Sequence, residues 1–254
     1  MDLDLKGKSV LITGGSMGIG RACAETMAAE GCTLHLAARG EKELAQTKAA
    51  IEAKYNQLVT IQPCDLSQGD QARTFSETCA DIDILINNAG AVPQGDLWQI
   101  DEDRWREAWD LKVFGYINLC RAAYPRMKSR GHGVIVNVIG AAGQKPNIGY
   151  IAGGAGNAAL MAFTKALGAK SLAVGIRVVA INPGLIKTRR LEVLMRSMAE
   201  TKFNDPERWQ ELLPKNPPPG DPQDIADAVA FLASKKAKNI TATVVTIDGG
   251  ATAA

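Results

Sequence analysis

The sequence predicts a doubly wound α/β fold, a parallel sheet with helices on both faces. Three observations predict it. Short apolar runs rich in Val and Ile alternate with longer stretches of helical periodicity. Those runs are continuously apolar, as strands buried on both faces of a parallel sheet must be. No break in composition divides the chain, so residues 1–254 read as one layered domain.

The elements follow in order. Ser9–Thr13 (SVLIT) reads as a buried first strand, and Ile19–Glu30 as a helix ending at Gly31. Thr33–Ala38 is a second strand, Glu41–Tyr55 a second helix and Gln57–Pro63 a third strand. Asp83–Asn87 (DILIN) is a fourth strand before a long helical stretch over Asp101–Ser129. Gly133–Val138 is a fifth strand, Gly149–Ala173 a helix and Ile176–Ile181 a sixth strand. Asp224–Ala233 forms a late helix and Thr243–Ile247 a last strand. Right-handed crossovers make this order doubly wound. One insertion, about residues 187–222, interrupts the alternation, and loops of that length often act as lids.

Composition narrows the function. Hydrophobic residues make up 46% and charged residues 22% of 254, enough for a large core. The net charge of +2 comes without a basic block, which predicts no nucleic-acid and no membrane partner. No apolar run reaches a membrane span, and the start MDLDLKGKSV is unlike a signal peptide. The five scattered cysteines (Cys23, Cys32, Cys64, Cys79, Cys120) therefore read as reduced thiols of a cytoplasmic protein. Two distant histidines, His35 and His132, and no CxxC or HExxH spacing predict no metal site.

Between the first strand and first helix runs Thr13-Gly14-Gly15-Ser16-Met17-Gly18-Ile19-Gly20. Glycines here permit a tight turn, and the helix N-terminus offers free N–H groups to a pyrophosphate. The end of the second strand chooses the nucleotide: an acid would hold a ribose 2′-hydroxyl, an arginine a 2′-phosphate. Arg39 stands there and no acid precedes Glu41, so NADP(H) is preferred and NAD(H) is the alternative. Asp65 and Leu66, after the third strand, are placed to meet the adenine.

Asn87-Asn88-Ala89-Gly90, Asn182-Pro183-Gly184 and Asp248-Gly249-Gly250 follow the fourth, sixth and seventh strands. With the glycine turn they resemble the short-chain dehydrogenase/reductase family over nearly the whole chain. The resemblance implies a single-domain Rossmann-like fold with a seven-stranded parallel sheet, assembled as a homotetramer or homodimer. It implies NAD(P)-dependent interconversion of a small-molecule alcohol and a carbonyl. It also implies cofactor contacts from Gly14, Ser16, Met17, Gly18, Ile19, Gly20, Asn88, Ala89, Gly90, Pro183, Gly184, Ile186 and Thr188.

The family's chemistry rests on a tyrosine, a lysine one turn later, a serine and an asparagine. Aligned on Val136-Asn137-Val138 and Ala158-Ala159-Leu160, the serine position falls on Gly140, the tyrosine on Gly153 and the lysine on Asn157. Lys112 stands where the family has its asparagine, and no YxxxK occurs in the chain. Lysine and asparagine thus exchange places. Tyr150 is expected on one helical stripe with Gly153 and Asn157, one turn upstream of the vacant position. The expected catalytic set is Lys112, Tyr150 and Asn157, with Lys112 and Asn157 also touching the cofactor. The alternative is a non-catalytic NADP(H)-binding regulatory or structural member. Gly149, Gly153, Gly154 and Gly156 reflect either a close approach to this helix or relaxed selection. In the insertion, Leu191, Leu194, Met195, Met198, Phe203 and Trp209 suit a lipophilic substrate or packing, while Arg189, Arg190 and Arg196 suit a carboxylate or phosphate.

Overall fold

The structure, a computed structural model, describes residues 2–78 and 81–253. Seven parallel strands form one sheet in the order β3-β2-β1-β4-β5-β6-β7. They are β1 Ser9–Thr13, β2 Thr33–Ala38, β3 Val59–Pro63, β4 Ile84–Asn87, β5 Gly133–Val138, β6 Ile176–Pro183 and β7 Thr243–Ile247. The helices are α1 Gly18–Ala29, α2 Glu41–Tyr55, α3 Gly69–Thr78, α4 Glu102–Trp109, α5 Gly115–Arg130, α6 Ile151–Gly168, α7 Arg189–Phe203 and α8 Pro222–Ala233.

Alternate residues of each strand feed opposite faces. From β1, Val10 and Ile12 pack with α1 (Cys23, Met27) and α8 (Ile225, Val229), while Leu11 faces α5 (Leu119, Met127). Both faces are therefore apolar, which is why the strands read as unbroken hydrophobic runs. The strand order reverses at β1, which lies between β2 and β4. Open α/β sheets bind ligands in the crevice at the carboxyl ends of such a pair. Gly14 and Asn88 leave the sheet at that point.

Five departures from the sequence reading are physical. Helix α3 was not foreseen, because among its residues Phe75 is the lone large apolar side chain and no stripe announces it. The long stretch after β4 is two helices joined by a π-helical turn over Asp110–Phe114. The helix expected from Gly149 begins at Ile151 and ends at Gly168, followed by a 3-10 turn over Ser171–Val174. Strand β6 runs on to Pro183 because its Asn182 and Pro183 still pair with Thr246 and Ile247. The insertion folds into α7 and a 3-10 run over Pro206–Leu212, tied together by Arg196 with Glu192 and Glu207. The thiols of Cys23, Cys32 and Cys120 are free and buried, Cys64 is buried as well, and Cys79 lies outside the described residues. Among the described residues no helix is long and apolar enough to cross a membrane.

Candidate active site

The glycine turn is braced from the neighbouring strand. Thr13 Oγ1 accepts from the backbone N–H groups of Asn88 (2.9 Å) and Ala89 (3.0 Å). The Asn88 Nδ2 returns bonds to the carbonyls of Thr13 (3.1 Å) and Gly14 (3.4 Å). Gly14 has φ +66° and Gly18 φ +55°, the left-handed region that favours glycine. A Cβ on Gly20 would lie 2.1 Å from the Gly14 carbonyl oxygen, so this position is closed to any side chain. The Ser16 carbonyl accepts from Thr47 Oγ1 (3.1 Å), and Ile19 packs on the core below. Met17 precedes α1, no side chain caps that helix, and its first turn carries no acid. Its N–H groups and dipole are left for an external anion, so this donor set fits a pyrophosphate.

Arg39, exposed at the end of β2, and Asp65, half-buried after β3, line a cleft of about 290 Å³. Asp65 Oδ1 accepts from the backbone N–H (3.0 Å) and Oγ (2.8 Å) of Ser67, which fixes the carboxylate. The side chain of Leu66 is buried beneath. The cleft continues past Ala91, Val92 and Leu111 to Arg190.

Lys112 lies inside the π-helical turn, a feature often found where a helix is modified for function. Its Nζ donates to the Ile139 carbonyl at 2.6 Å. Its stem runs against Gly90, where a Cβ would come within 2.9 Å of the Lys112 Cδ. Burial first, and the nearby Arg190 guanidinium second, pull its pKa down to about 7. Asn157 comes from α6 to the next residue along: a Cβ on Gly140 would sit 2.9 Å from its Nδ2. Asn157 is 3% exposed, and its Oδ1 is buried without a hydrogen-bond partner. Lys112 and Asn157 thus converge on consecutive residues, Ile139 and Gly140.

Tyr150 departs from expectation. It is the residue before α6, with φ −142° and ψ 41°, so it shares no helical stripe with Gly153 and Asn157. Outside the helix its side chain is free of the lean that helical geometry imposes, and its ring folds over the first turn. A Cβ on Gly153 would lie 2.1 Å from the Tyr150 Cζ: the ring fills the space a side chain at 153 would occupy. Gly156 likewise admits Trp109 and Val113, and Trp109 Nε1 donates to the Ala152 carbonyl (3.0 Å). Close approach by protein side chains therefore accounts for these two glycines. Trp105 and Trp109 lie with ring centroids 6.2 Å apart, facing the start of α6.

Past β6, the Gly184 N–H donates to the Ile247 carbonyl (2.9 Å) and Ile186 is buried. Thr188 caps α7, accepting from the Leu191 N–H at 3.3 Å, and its methyl group faces Gly18. Pro183, Gly184, Ile186 and Thr188 thus run from the end of β6 to the glycine turn. Sequence reasoning quoted Thr13 only as the start of the glycine motif and Asn137 only as an alignment anchor, and gave no role to them or to Thr47, although Thr13 and Thr47 brace the turn. Buried Asn137 accepts from Asn87 Nδ2 (2.9 Å) and donates to Thr164 Oγ1 (2.9 Å). A polar residue within an apolar strand was the one available signal.

The short chain dehydrogenase family model matches residues 8–198. This chain belongs to that family. Relatives of known activity match throughout. The 3-oxoacyl-[acyl-carrier-protein] reductase FabG of Vibrio harveyi is 30% identical over 252 residues, covering 98% of each chain. That of Staphylococcus aureus is 32% identical over 253 residues, covering 96% of this chain and 97% of its own. Among solved structures, L-sorbose reductase from Gluconobacter frateurii, complexed with NADPH and L-sorbose, superposes with TM-score 0.90 at 28% identity over 98% of each chain. Short-chain dehydrogenases are NAD(P)-dependent oxidoreductases.

Proposed function

We propose that this protein is an NADP(H)-dependent oxidoreductase that interconverts an alcohol and a carbonyl through a rearranged site. The observation that carries the reading is the convergence of Lys112 and Asn157 on Ile139 and Gly140, beside Gly90. The usual serine, tyrosine and lysine positions hold Gly140, Gly153 and Asn157, so those side chains do not supply the chemistry here.

The residues divide the work. Arg39 receives the 2′-phosphate, the Gly14–Gly20 turn with Ser16, Met17 and Ile19 the pyrophosphate, and Asp65 and Leu66 the adenine. Asn88, Ala89 and Gly90 form the floor under the ribose. Pro183, Gly184, Ile186 and Thr188 hold the carboxamide, Thr188 through the proton its capping bond leaves free. The chemistry such a cofactor supplies is hydride exchange with a carbonyl carbon. Lys112 Nζ gives the proton to the carbonyl oxygen during reduction and regains it from solvent. A pKa near 7 suits that work at neutral pH. The unpartnered Asn157 Oδ1 accepts from a ribose hydroxyl or a water, offsetting the cost of a buried orphan oxygen. Tyr150, over Gly153, contacts the substrate oxygen. Assembly as a homodimer or homotetramer and a cytoplasmic location belong to the same reading, supported by the family.

A non-catalytic NADP(H)-binding member is the second reading, favoured by the absence of any side chain at Gly140 and Gly153. Deuterium transfer from NADPH labelled on the reactive nicotinamide carbon separates the two. With a broad carbonyl mixture, the enzyme labels a product and the Lys112→Met variant does not. Retained NADPH binding with no transfer by the wild type would favour the binder.

A further inference from the structure

Of the four arginines of the insertion, two are held by acids, and Arg189 is exposed without an ion pair among the described residues. Arg196 is held by Glu192 and Glu207, and Arg208 by Glu211. Arg190 is different. Its Nη2 donates to a neutral acceptor, the Val92 carbonyl, at 2.7 Å, and among the described residues it makes no ion pair. That bond carries the guanidinium from the first turn of α7 across to the chain that follows β4, onto the wall of the cleft. Arg39 and Arg104 also line the cleft, and Lys112, like Arg190, bonds a carbonyl and has no carboxylate partner among the described residues. Of the two acids lining the cleft, Asp65 is engaged by Ser67 and Glu107 is exposed on α4, and neither bonds Arg190 or Lys112.

Two cations that disfavour each other's charge, neither paired with a carboxylate among the described residues, are both favoured by an arriving anion. We infer that the substrate is itself an anion, a carbonyl or alcohol bearing a carboxylate or phosphate, and that Arg190 receives that group at the mouth of the cleft. The inference rests on the oxidoreductase reading. Guanidinium suits it chemically, since its planar fork matches a carboxylate or phosphate face to face. The Val92 bond holds one edge of the fork in place and leaves the others to donate. A cofactor pyrophosphate offers the same chemistry, so the test separates the two sources.

Matched pairs provide the probe: levulinate against methyl levulinate, and dihydroxyacetone phosphate against dihydroxyacetone. The expected result is a kcat/KM about tenfold or more higher for the anion of at least one pair. Arg190→Met should abolish that discrimination through KM, and Arg190→Lys should restore part of it. The affinity for NADPH, from quenching of its fluorescence, is measured on each variant. Equal kcat/KM within both pairs overturns the inference. So does a variant that weakens NADPH binding with discrimination intact, because the anion is then the cofactor's. If neither member of any pair is reduced, the thermal stability of the NADP⁺-saturated protein decides. Stabilisation by levulinate or dihydroxyacetone phosphate but not by the uncharged partner, lost in Arg190→Met, supports the anion site even as the hydride reading fails. No such difference overturns both.

Discussion

Lys112 carries the clearest consequences at the residue scale. On the proposed proton transfer, reduction uses its protonated form, so kcat/KM for reduction is expected to fall about tenfold per pH unit above its pKa near 7. Oxidation should rise over the same interval, and both inflections should vanish in Lys112→Met. A flat profile in the wild type would remove lysine from the proton transfer. Stability carries the same signature. The folded pKa lies below the ordinary lysine value of 10.5, so between about 7 and 10.5 the unfolded chain binds more protons. Stability from this group therefore rises with pH through that window, and urea titrations of Lys112→Met should lack that slope. Gly153 makes a second prediction. An added Cβ meets the Tyr150 ring, so Gly153→Ala should cost about 1–2 kcal/mol despite its better helix propensity. In a Tyr150→Ala background the sign reverses to a gain of about 1 kcal/mol, because only the propensity is left. A cost that persists without the ring would mean something else fills the space.

Between elements, the decisive contacts are polar groups buried where strands meet helices. Arg177 on β6 is 6% exposed and donates to the carbonyls of Leu232 (2.6 Å), Ala233 (3.2 Å) and Ser234 (2.9 Å) at the end of α8. A guanidinium there satisfies orphan carbonyls and complements the helix dipole. Arg177→Met should destabilise by about 3 kcal/mol in urea unfolding, with the loss of amide-exchange protection greatest at the last turn of α8. The sequence marks this arginine only as a charged residue in an apolar strand. It interrupts the apolar run IRVVAI, and its partners lie more than fifty residues later. The π-helical turn was equally hidden. Residues 101–129 carry good helical periodicity, and one extra residue in a turn does not disturb it. Yet that turn aims Lys112 at Ile139. The motifs Thr13–Gly20 and Asn87–Gly90 were legible because each is a short run of neighbouring residues at the end of its own strand.

At the scale of the whole molecule, the parallel sheet buries almost everything the chain offers a reagent. Cys23, Cys32 and Cys120 are at most 1% exposed, and burial pushes each thiol up to about 12. In native protein at neutral pH these three should resist a maleimide for as long as the fold stays closed, then react within minutes in urea. Peptide mass spectrometry reads the sites, and native labelling of Cys120 at the unfolded rate would contradict the packing. The insertion has its start tied to its end by Lys187 on Asp221 (3.3 Å), and Arg190 in the first turn of α7 bonds the Val92 carbonyl.

The sheet and its doubly wound order were legible in the sequence alone, as were the motifs that mark the family. These depend on periodicity and on short motifs, both of which are written into neighbouring residues. Only the tertiary structure decided that Lys112 and Asn157 meet on Ile139 and Gly140, that the Tyr150 ring stands over Gly153, and that Arg190 reaches the cleft. Those facts depend on how a π turn, the start of a helix and the first turn of α7 are oriented against a sheet. Such orientations are settled by packing between residues far apart in the chain, which no local pattern encodes.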